Sequence, residues 1–155
     1  MRKYFFQTLI VLATAAVWTG CDDDDDEIIG DRYSLSGPAS GTQERPIPVN
    51  TPATGNITGT YRAESNILDY TITWNNLSVN PLMMHFHGPA TVDTFAGVQR
   101  PINGVPQTTS GTVSGVDTLT PEQETQLLRG LWYYNIHTQN HMPGEIRGQI
   151  TATKQ

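Results

Sequence analysis

Three histidines lie on two segments with the alternating pattern of β-strands, and imidazole is a common ligand for zinc and copper. His85 and His87 are separated by one residue, so a strand would point both side chains to the same face. His137 lies on a later segment, and three imidazole nitrogens from neighbouring strands can hold one zinc or copper ion. The sequence therefore predicts a candidate metal site at His85, His87 and His137. His141, in the turn that follows, is a candidate fourth donor, although a loop histidine is more often simply exposed.

A second interpretation of the same region is a hydrogen-bonded network that needs no ligand. Glu145 and Arg147 are two residues apart on the last predicted strand, and a hairpin would place His137 opposite Glu145 and Asn135 opposite Arg147. A carboxylate can accept hydrogen bonds from an imidazole and a guanidinium together. This polar stripe, joined by the two histidines of the earlier strand, is therefore either a structural network, our leading interpretation, or a metal site.

Other kinds of chemistry have little support in the sequence. There is no G-x-S-x-G nucleophile elbow and no glycine-rich phosphate loop. An H-x-H pair also occurs in copper-zinc superoxide dismutases, but four histidines are too few for their two-metal site and one cysteine cannot form their disulfide. We therefore expect a protein that is not an enzyme. Trp132, Tyr133 and Tyr134 could stack on a sugar ring, which leaves glycan binding as a further alternative.

The elements that position these residues are predicted to be short β-strands. Glycine and proline supply 24 of the 155 residues, and the apolar pattern from Arg32 onward mostly has a period of two. The strands are predicted at 32–36, 54–63, 67–74, 82–87, 112–116, 132–138 and 145–153, with 91–109 as a long loop that has room for short strand pieces. Leu68, Tyr70, Ile72 and Trp74 share an apolar face opposite a polar one, as in antiparallel sheets. We therefore predict an antiparallel β-sandwich or Greek-key barrel with one short helix.

The helix is predicted to begin after Thr120. Thr120 is an N-cap residue, Pro121 occupies the first helical position, and Gln123 follows the cap at the spacing of a capping box. Gly130 marks the end. A helix of this length is too short to be stable alone, so it must pack on the sheet.

The first 20 residues are typical of a secretory signal peptide. Arg2 and Lys3 precede an apolar stretch, residues 4–17, which as a helix would be about 21 Å long, shorter than the roughly 30 Å hydrocarbon core of a bilayer. The stretch ends just before Cys21, the only cysteine of the chain. This pattern resembles the bacterial lipoprotein signal, in which that cysteine is acylated. We therefore predict a lipoprotein signal peptide at 1–20 and a lipid at Cys21.

Most of the acidity of the chain lies beside that cysteine. Residues 22–27 hold six of the 15 acidic residues, and without them and the two N-terminal basic residues nine acidic residues remain against seven basic ones. Adjacent aspartates repel one another, so 21–31 is predicted to be a solvated tether, and the run is also similar to the surface-export signal of some lipoproteins. The net charge of −6 argues against nucleic acid as a partner. We expect a cell-envelope protein anchored by its lipid in the outer membrane, on the periplasmic or the surface face.

Three segments, in this order and spacing, resemble the CHRD domain, a module first named from chordin. They are HFHGPA (85–90), YNIHT (134–138) and PGEIRGQI (143–150). The resemblance covers about 32–153, and we assign 32–155 to this domain. It implies an extracellular binding or structural module without an established reaction, whose partner would be an extracellular protein or a glycan.

Overall fold

The computed structural model describes residues 30–155, whose nine strands form one antiparallel sheet that nearly closes into a barrel. The strands are β1 (Arg32–Ser40), β2 (Thr54–Arg62), β3 (Ile67–Asn75), β4 (Pro81–His87), β5 (Val98–Ile102), β6 (Gly111–Thr118), β7 (Tyr133–Thr138), β8 (Ile146–Gln149) and β9 (Thr151–Lys154). Their order is β5-β4-β7-β8-β1-β2-β3-β6, and β9 also pairs with β1. The predicted antiparallel all-β fold is confirmed.

The predicted signal peptide, the lipid at Cys21 and the acidic run lie outside the described residues. Within 30–155, no helix has the length and apolar character that a membrane crossing requires.

The interior of the barrel is filled by the apolar faces that the alternation predicts. Leu68, Tyr70, Ile72 and Trp74 of β3 are each no more than 4% exposed. Tyr70 meets Phe86 of β4 edge to face, with 4.9 Å between ring centroids, so the two halves of the sheet pack against each other across the barrel. Burial of these large side chains is the main source of stability for a sheet of short strands.

Four departures from the predicted strands are the clearest. The predicted strand 145–153 is divided at Ile150 into β8 and β9. β1 continues through Gly37 and Pro38 to Ser40. On one side of β1, β9 pairs with 33–36 and β8 pairs with Ser40, so no strand pairs with Pro38 there. Because proline has no N–H to donate, it is tolerated at this unpaired position. In β4 the register shifts between Pro81 and Met83, and the Leu82 side chain lies in solvent instead of facing the core. β5 lies within the predicted loop 91–109, where the alternation is weak.

The predicted helix is present as α1 (Pro121–Leu128). Thr120 Oγ1 accepts a hydrogen bond from Gln123 N at 3.2 Å, and Gln123 Oε1 accepts one from Thr120 N at 3.1 Å, which completes the capping box. Leu127 is fully buried and fixes the helix on the barrel.

The Thr120→Ala variant should lower the free energy of unfolding by about 0.5–2 kcal/mol, because the N–H of Gln123 loses its acceptor. Thr125→Ala is the matched control, since Thr125 is an exposed residue of the same helix, and we expect less than about 0.5 kcal/mol there. Urea denaturation of the three proteins measures both values. Identical midpoints for wild type and Thr120→Ala would contradict the role of the cap.

The two edge strands, β5 and β6, approach each other across the remaining gap of the barrel. Arg100 of β5 donates a hydrogen bond from Nη2 to the carbonyl oxygen of Thr118, at the end of β6. Arg100 Nη1 also lies 3.5 Å from Asp117 Oδ1. The gap in the backbone ladder is therefore bridged by side chains.

Candidate metal centre

Most of the outer face of β4, β7 and β8 is buried beneath the loop that joins β4 to β5. All six residues of β7 are buried, although the alternation predicts one polar face in water. Arg147 holds the loop by donating hydrogen bonds to Thr94 O at 2.7 Å and Thr91 O at 2.9 Å. Gln149 donates another to Ala90 O at 2.8 Å. The predicted polar stripe is therefore an interior layer between the sheet and this loop.

His85, His87 and His137 come together in this layer, as their spacing predicts. One ring nitrogen of each lies within 4.8 Å of the corresponding nitrogens of the other two. The His85 Nδ1 and His137 Nε2 atoms are 3.2 Å apart. In a tetrahedral site with bonds of about 2.0–2.1 Å, two ligating nitrogens are roughly 3.3–3.4 Å apart. The cluster therefore needs a contraction of at most about 1.5 Å at its widest pair to hold one ion.

Backbone carbonyl groups orient two of the three rings. His87 Nδ1 lies 3.0 Å from Ala96 O, and His137 Nδ1 lies 2.8 Å from Met142 O. A carbonyl oxygen can only accept, so each Nδ1 carries the proton and each Nε2 keeps its lone pair. Metal-binding histidines are commonly oriented in this way. His87 Nε2 is also buried with no hydrogen bond of normal geometry among the described residues, although the nearby Asn135 side chain acts to raise the His87 pKa.

Burial lowers the pKa of all three histidines. Loss of hydration is the largest cause for each ring, and for His85 the nearby His137 and His87 lower the pKa further. The carbonyl groups that accept from His87 and His137 act in the opposite direction but do not cancel the effect. The imidazoles are therefore neutral at pH 7, the form in which they bind metal ions.

Aromatic stacking holds the His87 ring in place. The ring of Tyr133 lies nearly parallel to it, at 6° with 4.9 Å between centroids, and the guanidinium carbon of Arg147 lies 3.7 Å from the Tyr133 centroid. Tyr133 Oη contacts both the N and the O of Ala96, the residue whose carbonyl orients His87. Arg147 therefore supports the histidine cluster through Tyr133 and the covering loop rather than by direct contact.

Glu145 does not join the histidines or Arg147, so the single network predicted from the strand register is not formed. Its carboxylate accepts hydrogen bonds from Thr51 Oγ1 at 2.8 Å, Ser78 N at 2.8 Å, Ser78 Oγ at 2.7 Å and Thr138 Oγ1 at 2.8 Å. Burial by itself raises the pKa of Glu145, but these hydrogen bonds outweigh it and hold the pKa below its usual range. Glu145 therefore joins the loop before β2, which holds Thr51, and the loop before β4, which holds Ser78, to the end of β7.

The register of the β7–β8 hairpin is nevertheless as predicted, because Asn135 lies opposite Arg147. The paired residues of β8 begin at Ile146, the residue directly after Glu145, so Glu145 itself lies outside the ladder. The Glu145 side chain can therefore turn to the loops instead of to His137.

Two further predicted ligand contacts lack support in the geometry. His141 is not part of the histidine cluster and lines a cleft of about 320 Å³ beside Pro143. Trp132, Tyr133 and Tyr134 are all buried, so they present no ring face on which a sugar could stack. The polar layer itself is the better candidate for a functional site.

Glu44 is a buried charged residue that the sequence does not single out. It is 4% exposed, and its Oε1 is buried with no hydrogen-bond partner among the described residues. Loss of hydration raises the pKa of Glu44 to about 7, although the nearby Arg147 acts to lower it. Gly144, with φ of 140°, lies against this carboxyl, and a Cβ there would be 2.5 Å from Glu44 Oε1. No local pattern marks the residue, because a glutamate in a proline-bearing loop is ordinarily exposed.

The fold and the clustered motifs agree with the comparison of the chain with known families. The model of the CHRD domain matches residues 35–150, which include the three histidines, Glu145 and Arg147. The chain therefore belongs to the CHRD domain family, and this membership indicates a binding or structural module. Comparison with curated proteins and with solved structures finds no match.

Proposed function

We propose that the domain is a non-enzymatic module that binds one zinc or copper ion through His85 Nδ1, His87 Nε2 and His137 Nε2. The observation that carries this proposal is the convergence of three neutral imidazoles within 4.8 Å, two of them oriented by carbonyl groups. Such a donor set, with supporting hydrogen bonds to the rings, is typical of zinc and copper sites.

The separation of Glu145 and Arg147 from the cluster favours metal binding over a purely structural network. The network required a carboxylate to accept hydrogen bonds from the imidazoles, and the Glu145 carboxylate is fully engaged elsewhere. Without metal, His85 Nδ1–H can donate to His137 Nε2, but His87 Nε2 makes no hydrogen bond of normal geometry among the described residues. Besides the contraction of the cluster, metal binding requires that His85 carry its proton on Nε2 instead of Nδ1, so one neutral tautomer replaces another.

Thermal unfolding with and without metal tests the site. We expect Zn²⁺ or Cu²⁺ to raise Tm and a chelator to reverse the rise, because a ligand at 100 times its Kd stabilises the folded state by about 2.7 kcal/mol. His87→Ala and His137→Ala should lose this response. His141→Ala is the matched control, since that histidine lies outside the cluster, and it should respond like wild type. A wild-type Tm that is insensitive to both metals, or an equal rise in His87→Ala, would reject the metal site.

The location of the protein is the second part of the proposal. We infer a cell-envelope protein that is tethered to a membrane by a lipid on Cys21, and its support is the signal-like sequence of residues 1–20 ahead of the single cysteine. The matched domain begins at residue 35, which leaves a short acidic segment between the lipid and the barrel.

Cys21→Ser should move the protein from the membrane fraction to a soluble or signal-retaining form and abolish incorporation of labelled palmitate. Thr19→Ser is the control, because it keeps the cysteine and a small residue before it. Equal membrane association of wild type and Cys21→Ser, with the signal removed from both, would rule out the lipid as the tether.

A further inference from the structure

Met83 places a sulfur atom on the same face of the sheet as the histidine cluster. It pairs directly with His137 across β4 and β7, and it precedes His85 by two residues on β4. Directly paired residues of antiparallel strands have Cβ atoms about 4.5–5.5 Å apart on one side of the sheet. The Met83 side chain is therefore a neighbour of two of the three histidines.

The exposed end of the cluster is the end at which Met83 lies. His87 and His137 are each 7% exposed, whereas His85 is half-buried and Met83 is 41% exposed. A methionine side chain is flexible and unbranched, so it can move over a neighbouring site without a change in the backbone. Met83 is thus placed to supply a fourth ligand, from the exposed end, to an ion that the three histidines bind.

We propose that this site selects copper, bound as Cu(I) by His85, His87, His137 and the Met83 thioether, over zinc. The inference rests on the metal site proposed above and specifies its ion. Thioether sulfur is a soft ligand that favours Cu(I), whereas zinc in proteins takes imidazole, thiolate and carboxylate ligands. Among the described residues, no carboxylate or thiolate joins the three histidines. The donor set therefore matches the softer ion.

Met142 provides a matched control for Met83. Its carbonyl oxygen lies 2.8 Å from His137 Nδ1, so it is also next to the cluster, but its side chain belongs to the turn after β7 and is 52% exposed. The substitution Met142→Leu leaves the backbone carbonyl in place. Met83→Leu and Met142→Leu remove the same sulfur atom from two positions, of which only the first shares the histidine face.

Affinities for Cu(I) and Zn²⁺ test the selection. Both are measured by competition with chromophoric chelators, with Cu(I) under anaerobic conditions, in the full chain carrying Cys21→Ser, which removes the only thiol. We expect tighter binding of Cu(I) than of Zn²⁺. Met83→Leu should weaken Cu(I) binding by roughly tenfold or more and leave Zn²⁺ binding unchanged, whereas Met142→Leu should alter neither. X-ray absorption of the Cu(I) form should show one sulfur ligand that is lost in Met83→Leu.

Two sets of outcomes separate this inference from the proposal beneath it. Equal or tighter binding of Zn²⁺, unchanged Cu(I) affinity in Met83→Leu, or an equal loss in both methionine variants would overturn the selection of copper while leaving a metal site. Binding of neither ion by the parent chain, or binding unaffected by His137→Ala, would remove the metal site itself.

Discussion

Glu145→Gln is expected to lower the free energy of unfolding by about 1–3 kcal/mol, the range for hydrogen bonds to a charged group. The Glu145 carboxylate accepts hydrogen bonds from Thr51, Ser78 and Thr138, and both of its oxygens are used. A glutamine has one acceptor oxygen and no charge, and its amide group would face the hydroxyl groups of Ser78 and Thr138, which would have to rotate to accept from it. Buried donors left without an acceptor cost about 1–3 kcal/mol each.

Urea denaturation at pH 7 in the presence of a chelator measures this loss without any contribution from metal. Glu64→Gln is the control, because Glu64 is exposed in the turn between β2 and β3, and it should change stability by less than about 0.5 kcal/mol. The lowered pKa of Glu145 also fixes the sign of the pH dependence. Its stabilisation is present above the unfolded-state pKa and is lost as the pH falls through the folded-state pKa, so the two proteins should converge in acid. A loss below about 1 kcal/mol at pH 7 would contradict the stabilising role of the Glu145 carboxylate.

Glu44→Gln is expected to have the opposite effect and to stabilise the domain at pH 8, by up to about 3 kcal/mol. The pKa of Glu44 is raised from 4.5 to about 7 by burial, so the folded state keeps a proton that the unfolded state has lost. Wild-type stability due to this group therefore falls as the pH rises from 4.5 to about 7 and is constant above that range. Glutamine has no charge to bury, and at acid pH the advantage of the variant should disappear.

Urea denaturation of wild type and Glu44→Gln from pH 4 to pH 8 tests this expectation. The difference between the two proteins isolates Glu44 from the histidines, whose lowered pKa makes their contribution rise with pH up to the unfolded-state value. The exposed Glu64→Gln variant should follow the wild-type curve. Parallel curves for wild type and Glu44→Gln at all pH values would show that Glu44 does not carry a raised pKa.

The strands and the helix could be predicted where one physical rule decides the structure. Alternation places Leu68, Tyr70 and Trp74 on one face of β3 because every second side chain of a strand shares a side. The capping box of Thr120 and Gln123 locates the start of α1 because both hydrogen bonds are made within four residues. Alternation fails for Leu82, which it places in the core although the side chain lies in solvent. The register shift at the start of β4 depends on how β4 and β7 pair and not on the pattern of either strand.

The candidate site could be predicted in part for the same reason. The spacing of His85 and His87 and the pairing of neighbouring strands bring the histidines together. The partners of Glu145 could not be found, because Thr51 and Ser78 lie 94 and 67 residues away in segments without periodicity. The burial of the polar layer could not be predicted either. It depends on the covering loop, whose backbone carbonyl groups accept hydrogen bonds from Arg147 and Gln149, and every residue type has such a carbonyl group.

The bridge between β5 and β6 has a consequence for self-association. Strand edges with free N–H and C=O groups are templates on which a second chain can add a strand. In this barrel the two edges face each other. The guanidinium group of Arg100 donates a hydrogen bond to the carbonyl oxygen of Thr118 and forms an ion pair with Asp117. We therefore expect this end of the two edges to be less open to a strand of another copy, even where many copies are crowded together.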